Sequence, residues 1–274
     1  MKQTSPNRQE FTSQIFHVYA AGHRLRVKTI EPQKAAAAEN QPTLVFLHEG
    51  LGCMELWRDF PEVLCASTGC RGLIYERKGY GGSDILPGPW KEDYLIEESS
   101  VDLPELLKKC NVDDIVLIGH SDGGTIALIM SALNGDMVRG VITEAAHIFV
   151  EDVTIAGINK AVEAYEKDNL KDKLARYHKE NTEMVFRRWA DRWLSPEYRN
   201  WNVEEYLPEI TCPLLAIQGE DDEYGTPAQV EGIGRLVSGP VETRLIPECG
   251  HIPHFQARDV VLREIVGLIK MLAS

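Results

Sequence analysis

The stretch Asp114-Ile-Val-Leu-Ile-Gly-His-Ser-Asp-Gly-Gly-Thr-Ile-Ala-Leu-Ile-Met130 holds an apolar strand, a glycine-bracketed serine and an apolar helix, with nothing between them. The run Ile115 to Ile118 does not alternate, as expected of a strand covered on both faces. Gly119-His120-Ser121-Asp122-Gly123 fits G-x-S-x-G, a pattern that chance alone supplies in roughly one chain in ten of this length, so its context decides. A turn this sharp between strand and helix needs flanking residues without Cβ. It thrusts the serine above a helix N-terminus, where free N–H groups and the helix dipole favour negative charge. Ser121 is therefore the candidate nucleophile, and His120 beside it is a packing or hydrogen-bonding residue.

Outward from this motif the same rhythm recurs. Phe16–Tyr19 and Arg24–Ile30 read as a hairpin turning at Gly22. Thr43–His48, Gly72–Tyr75, Gly140–Ala145 and Pro213–Gly219 read as further buried strands, while Val241–Ile246 alternates and suits an edge. Helices are expected over about 56–67, over 95–110 with a kink or a late start at Pro104, after Ser121 to Ala132, and over 260–272. The alanine run between Pro32 and Pro42 reads as a loop. Buried strands alternating with helices define an α/β protein with a mainly parallel sheet covered on both faces. The rhythm stops between Ala146 and Ile210. That segment has helical stretches near 158–166 and 170–192, several Tyr and Trp, and no buried strand. It reads as an inserted helical cap (147–210) in a core made of residues 1–146 and 211–274.

Composition narrows the function. The chain has 274 residues and a net charge of −13, which repels nucleic-acid phosphates and anionic lipid, so neither is an expected partner. No apolar run is long enough to span a membrane, and the polar first ten residues lack the apolar core of a signal peptide, so a cytoplasmic location is expected. The 6 cysteines form no C-x-x-C pair or Cys/His cluster, so neither a disulfide framework nor a metal site is expected. Cys249 reads as a packed residue. Nothing sets an oligomeric state.

A serine hydroxyl needs a base within hydrogen-bond reach. Cys249-Gly-His-Ile-Pro-His254 offers two histidines, and His251 stands where the order serine, acid, histidine requires one. The acid comes from Glu220-Asp221-Asp222-Glu223, directly after the strand ending at Gly219. Acyl transfer also needs N–H donors for the oxyanion. The backbone of Asp122 supplies one, and Gly50 or Leu51, after the Thr43–His48 strand, supplies the other.

His48-Glu-Gly-Leu-Gly52, Gly79-Tyr-Gly-Gly-Ser83, Gly119-His-Ser-Asp-Gly-Gly124, Gly219-Glu-Asp-Asp222 and Gly250-His251 together resemble the α/β-hydrolase superfamily, in particular its cap-bearing esterase and carbon–carbon hydrolase branch. The resemblance implies an eight-stranded, mostly parallel sheet, a serine–acid–histidine triad and no cofactor. It selects Asp222, three residues past the strand-end glycine, with Asp221 as runner-up. Two positions depart from the pattern. Glu49 replaces the usual glycine and puts a carboxylate at the site mouth. Asp122 replaces a methionine or glutamine, and its side chain either meets a cationic substrate group or favours the helix N-terminus. With Glu49, the insert's Trp189 and Trp193 are candidate substrate contacts. The expected activity is serine hydrolysis of a small carboxylic ester through an acyl-enzyme. A carbon–carbon hydrolase or thioesterase would use the same triad, and a ligand-binding receptor the same fold.

Overall fold

The computed structural model describes residues 11–33, 41–86 and 93–272. The expected Lys34–Asn40 loop lies outside them. Eight strands form one sheet: β1 (Phe11–Ala20), β2 (His23–Pro32), β3 (Thr43–Leu47), β4 (Gly72–Tyr75), β5 (Ile115–His120), β6 (Val138–Glu144), β7 (Leu214–Gly219) and β8 (Val241–Ile246). Their order is β1-β2-β4-β3-β5-β6-β7-β8. The β1–β2 and β2–β4 pairs are antiparallel, and every pair from β4 to β8 is parallel. The mostly parallel α/β sheet expected from the strand pattern is the one observed.

Side chains alternate across the sheet and build a core on each face. Leu44, Phe46, Val116, Ile118, Leu215 and Ile217 point to one face, covered by α1 (Phe60–Thr68) and α10 (Arg258–Leu272). Val45, Leu47, Ile115, Leu117 and Ala216 point to the other. That face is covered by α2 (Tyr94–Glu97), α3 (Leu103–Lys109), α4 (Asp122–Leu133) and α8 (Ala228–Leu236). Burial on both faces is why β3, β5 and β7 show no polar alternation. β8 ends the sheet, and Glu242 to Leu245 are exposed along it.

Three helices differ from their sequence pattern. The expected helix over 56–67 is a 3₁₀ turn, Met54–Trp57, and then α1, separated by Arg58 in a left-handed conformation (φ 52°). The 95–110 helix contains a π-turn at Glu98–Asp102, just before Pro104 in the first turn of α3. Proline removes an N–H from the ladder, and the wider turn absorbs the mismatch. Ser99 and Ser100 donate their hydroxyls to the carbonyls of Leu95 and Ile96 inside this turn, both at 2.6 Å.

Between β6 and β7 the chain forms α5 (Asp152–Lys167), α6 (Leu170–His178) and α7 (Thr182–Trp193), and Lys179 (φ 52°) breaks the expected 170–192 helix. Apart from an isolated bridge between Phe149 and Asn202, this segment adds no strand among the described residues. A short helix, α9 (Pro253–Gln256), precedes α10.

Candidate active site

Ser121 stands between β5 and α4 with φ 53° and ψ −119°. An L-residue held there costs about 1–3 kcal/mol, so its surroundings must impose it. They do. A Cβ at Gly119 would strike the Gly123 carbonyl, and one at Gly123 would strike the Leu47 carbonyl. The Ser121 N–H is anchored to the Glu144 carbonyl at 2.8 Å, and its own carbonyl accepts the N–H groups of Gly124 (2.8 Å) and Thr125 (3.1 Å). The serine is fixed at the turn, with its side chain on the cavity floor.

His251 Nε2 lies 3.0 Å from Ser121 Oγ, and its Nδ1 lies 2.8 Å from Asp222 Oδ1. The Asp222 carboxylate also accepts the Tyr224 N–H (2.9 Å) and the Gln218 amide (3.2 Å). Burial pushes its pKa up, but the hydrogen bond and charge of His251 outweigh this and hold it below the ordinary value. Asp221, Glu220 and Glu223 are exposed. Asp222 alone of the four turns inward to the imidazole. The His251 N–H donates to Glu223 Oε2 (3.2 Å), and Tyr224 packs on the ring at 4.7 Å between centroids. His254, the other histidine of this loop, is bound instead to Glu144 Oε2 (Nδ1 at 3.0 Å).

The loop after β3 approaches Ser121 from the opposite side. Three successive carbonyls of this loop are engaged. Glu49 accepts from Arg77 Nη2 (2.8 Å), Gly50 from the Tyr80 hydroxyl (2.9 Å) and Leu51 from His178 Nε2 (3.0 Å). Among the described residues the N–H groups of Gly50, Leu51 and Asp122 meet no protein acceptor. A Cβ on Gly50 would lie 3.3 Å from the Asp122 carboxylate and would run into the Trp189 indole. A side chain here would therefore have to displace the Trp189 indole, and the position adjoins the Ser121 turn.

A cavity of about 230 Å³ opens over Ser121 and His251. Its walls are largely apolar, with Leu51, Leu56, Ile158, Leu170, Leu174 and Ile252 beside the indoles of Trp189 and Trp193. Both tryptophans, the candidate substrate contacts, line this cavity. Tyr165 instead stacks on Phe186 at 3.8 Å, and Trp201 packs against Trp193 at 5.4 Å. Glu49 also lines the cavity, with Oε2 3.7 Å from His120 Nδ1. Burial raises its pKa, but the bond and charge of His120 prevail and carry it down to about 2. His120 Nε2 meets the His251 carbonyl at 2.7 Å, so this pair also braces the loop carrying the candidate base. His147, whose Nε2 meets the Tyr224 carbonyl at 3.0 Å, is a cavity residue that the sequence reading did not single out.

The expectation that the Asp122 side chain meets a cationic substrate group is corrected. The carboxylate is buried, bonded to the Tyr94 hydroxyl (2.8 Å) and 3.5 Å from the Arg77 guanidinium, so its charge is already balanced inside the protein. Among the described residues the only potential metal-ligand cluster is Cys53, Glu55 and Glu76. There the Arg26 guanidinium sits 2.6 Å from Glu55 and 3.1 Å from Glu76, supplying the cation that such a cluster would recruit.

Sheet order, a strained serine between β5 and α4, and a histidine after β8 define the class, and a profile of the alpha/beta hydrolase family matches residues 44–264. The chain belongs to that family. Among curated proteins it is similar to human Serine hydrolase BPHL, 25% identical over 191 residues, covering 68% of this chain and 65% of that protein. It is also similar to Epoxide hydrolase 2 of Siraitia grosvenorii, 28% identical over 114 residues, 41% of this chain and 34% of that protein. The match therefore spans less than two thirds of either relative. Solved structures with the same fold include the carboxylesterase CesB of Bacillus subtilis (TM-score 0.67, 15% identity, 94% of this chain and 92% of that one). The enol-lactonase of Burkholderia xenovorans is another (TM-score 0.68, 19% identity, 93% and 99%). No helix among the described residues is long and apolar enough to cross a membrane.

Proposed function

We propose that the protein is a serine hydrolase that cleaves a small carboxylic ester through an acyl-enzyme. The observation that carries this reading is the unbroken line Ser121 Oγ–His251 Nε2 (3.0 Å) and His251 Nδ1–Asp222 Oδ1 (2.8 Å) at the floor of a cavity. Ser121 Oγ attacks the ester carbonyl carbon while its proton passes to His251 Nε2. The oxyanion forms between the N–H groups of Asp122 and Gly50. His251 then gives the proton to the departing alkoxide, leaving the acyl group on Ser121. Water, deprotonated by the same nitrogen, releases the acid and restores the serine. Asp222 keeps the proton of neutral His251 on Nδ1 and stabilises the imidazolium as it forms.

The cavity suits a small, apolar acyl group. Its volume is below the roughly 300–1,000 Å³ of sites that hold drug-sized ligands, and α5–α7 act as a cap whose Trp189 and Trp193 close it. Glu49 gives the mouth a carboxylate, which disfavours an anionic acyl chain. Carbon–carbon hydrolase and thioesterase chemistry run on the same triad, and an acyl thioester and a vinylogous diketone assayed beside the esters separate them. Turnover of p-nitrophenyl acetate and butyrate is expected to exceed that of the octanoate by at least about tenfold in kcat/KM, each lost methylene contact being worth up to about 0.8 kcal/mol. Octanoate preferred over acetate would contradict the small-pocket assignment, and no ester turnover at all would contradict the activity.

A further inference from the structure

Arg77 follows β4 and is buried although it is an arginine. Nη2 donates to the Glu49 carbonyl at 2.8 Å, and Nη1 lies 3.5 Å from Asp122 Oδ2. Its backbone N–H donates to His48 Nε2 at 3.2 Å, which leaves the His48 proton on Nδ1, 2.8 Å from the same Glu49 carbonyl. Burial and the Arg77 charge push the His48 pKa down to about 3, so the ring is neutral and this tautomer is the one present. The guanidinium also packs over the Tyr80 ring at 4.7 Å, and the Tyr80 hydroxyl binds the Gly50 carbonyl.

The Glu49 carbonyl and the Gly50 N–H belong to one peptide unit. In a trans peptide they point opposite ways, so a bond holding the carbonyl toward Arg77 aims the N–H away from it. Hydrogen bonding at the carbonyl also polarises the N–H in the same unit. The second donor, Asp122 N–H, sits on a residue whose carboxylate is an anion a few bonds away. An unbalanced charge there would repel an oxyanion strongly in a site shielded from water.

We propose that Arg77 is a positioning residue of the oxyanion hole: its guanidinium, together with His48 Nδ1 and the Gly52 N–H on the same carbonyl, fixes the peptide that presents the Gly50 N–H, and it alone neutralises the carboxylate beside the Asp122 N–H. The assignment rests on the acyl-transfer reading. A lysine has a single ammonium and cannot serve both partners with a rigid fork. The arrangement predicts an asymmetry. Losing the cation removes aim and charge balance together, whereas losing the anion removes only the need for balance.

The test is p-nitrophenyl acetate hydrolysis by Arg77→Met, Arg77→Lys, Asp122→Asn and the double variant Arg77→Met/Asp122→Asn, with active sites counted by fluorophosphonate labelling of Ser121. Arg77→Met is expected to lower kcat by about 100-fold or more with KM within about threefold, near the effect of losing one oxyanion donor. Arg77→Lys should lose about tenfold, and Asp122→Asn no more than that. The double variant should be at least about tenfold faster than Arg77→Met. A purely structural ion pair would give near-normal kcat per labelled site in every variant, and that result overturns the proposal. So does a double variant no faster than Arg77→Met, or Arg77→Lys at the wild-type rate. If Arg77→Met does not fold, Arg77→Lys still decides, because its kcat per labelled site must fall. Wild-type protein that neither turns over ester nor labels at Ser121 overturns the acyl-transfer reading as well. Labelled wild-type protein with insensitive Arg77 variants overturns the Arg77 assignment alone.

Discussion

Of the histidine–carboxylate pairs at the carboxyl edge of the sheet, two have histidines only three residues apart. His251 meets Asp222 at 2.8 Å and His254 meets Glu144 at 3.0 Å, each through Nδ1. Both imidazoles are buried. What differs is where the rest of the ring lies. His251 turns Nε2 to Ser121 under the cavity, whereas His254 packs between Trp57 (4.7 Å) and Phe60 (5.4 Å). The carboxylates differ too. Asp222 has two further donors, while Glu144 Oε1 meets no partner among the described residues. An oriented imidazole is thus a packing device as readily as a base. Access to Ser121 and the cavity is what singles out His251 as the proposed base.

Substitutions in the two pairs should therefore diverge most in rate. His251→Gln is expected to lower kcat on p-nitrophenyl acetate by roughly 10⁴-fold or more, and His254→Gln by less than about tenfold. Equal losses would erase the distinction between the pairs. Next in size, Asp222→Asn should cost about 10⁴-fold in kcat, because the imidazole proton is then held on the wrong nitrogen. Glu144→Ala should act on stability instead. It strands the His254 ring and backbone N–H groups, and a urea titration should show a loss of about 2–4 kcal/mol.

The smallest expected effect concerns pH. Glu98, buried and accepting from the Tyr75 hydroxyl at 2.7 Å, has its pKa raised to about 7 by burial and then by the Asp102 charge. The native state thus holds this proton more tightly than the unfolded chain, whose carboxyl titrates near 4.5. Its contribution to stability is complete below about pH 4.5 and is lost as pH rises through about 7. Glu98→Gln should flatten the decline in Tm between about pH 5 and 8. A decline unchanged in the variant would assign it to other groups.

The sheet was legible because parallel strands buried on both faces leave unbroken apolar runs, and β5 with its flanking glycines marked the turn that holds Ser121. The β8 edge was equally legible from its alternation. The breaks at Arg58 and Lys179 were not, since both adopt positive φ without the glycine that would announce it. Within the site, residue order placed His251, but choosing Asp222 among Glu220–Glu223 required either resemblance or burial. A local acidic run does not reveal which carboxylate turns inward. Arg77 escaped notice for a related reason. A lone arginine after a strand reads as surface, and only tertiary packing brings His48, Glu49 and Asp122 around it. Asp122 was hidden in the same way: neither role open to it in the sequence, a substrate cation or the helix N-terminus, named its partner Arg77, which lies on another strand's exit loop.

The proposed acyl-enzyme is covalent and can be caught as such: protein mixed with p-nitrophenyl acetate, acid-quenched, digested and weighed, alongside a stopped-flow record of p-nitrophenol. One acetyl group is expected on the peptide containing Ser121, with a burst matching the active sites, both absent in Ser121→Ala. Undiminished turnover by Ser121→Ala, or acetyl found only on another residue, would contradict that acyl-enzyme.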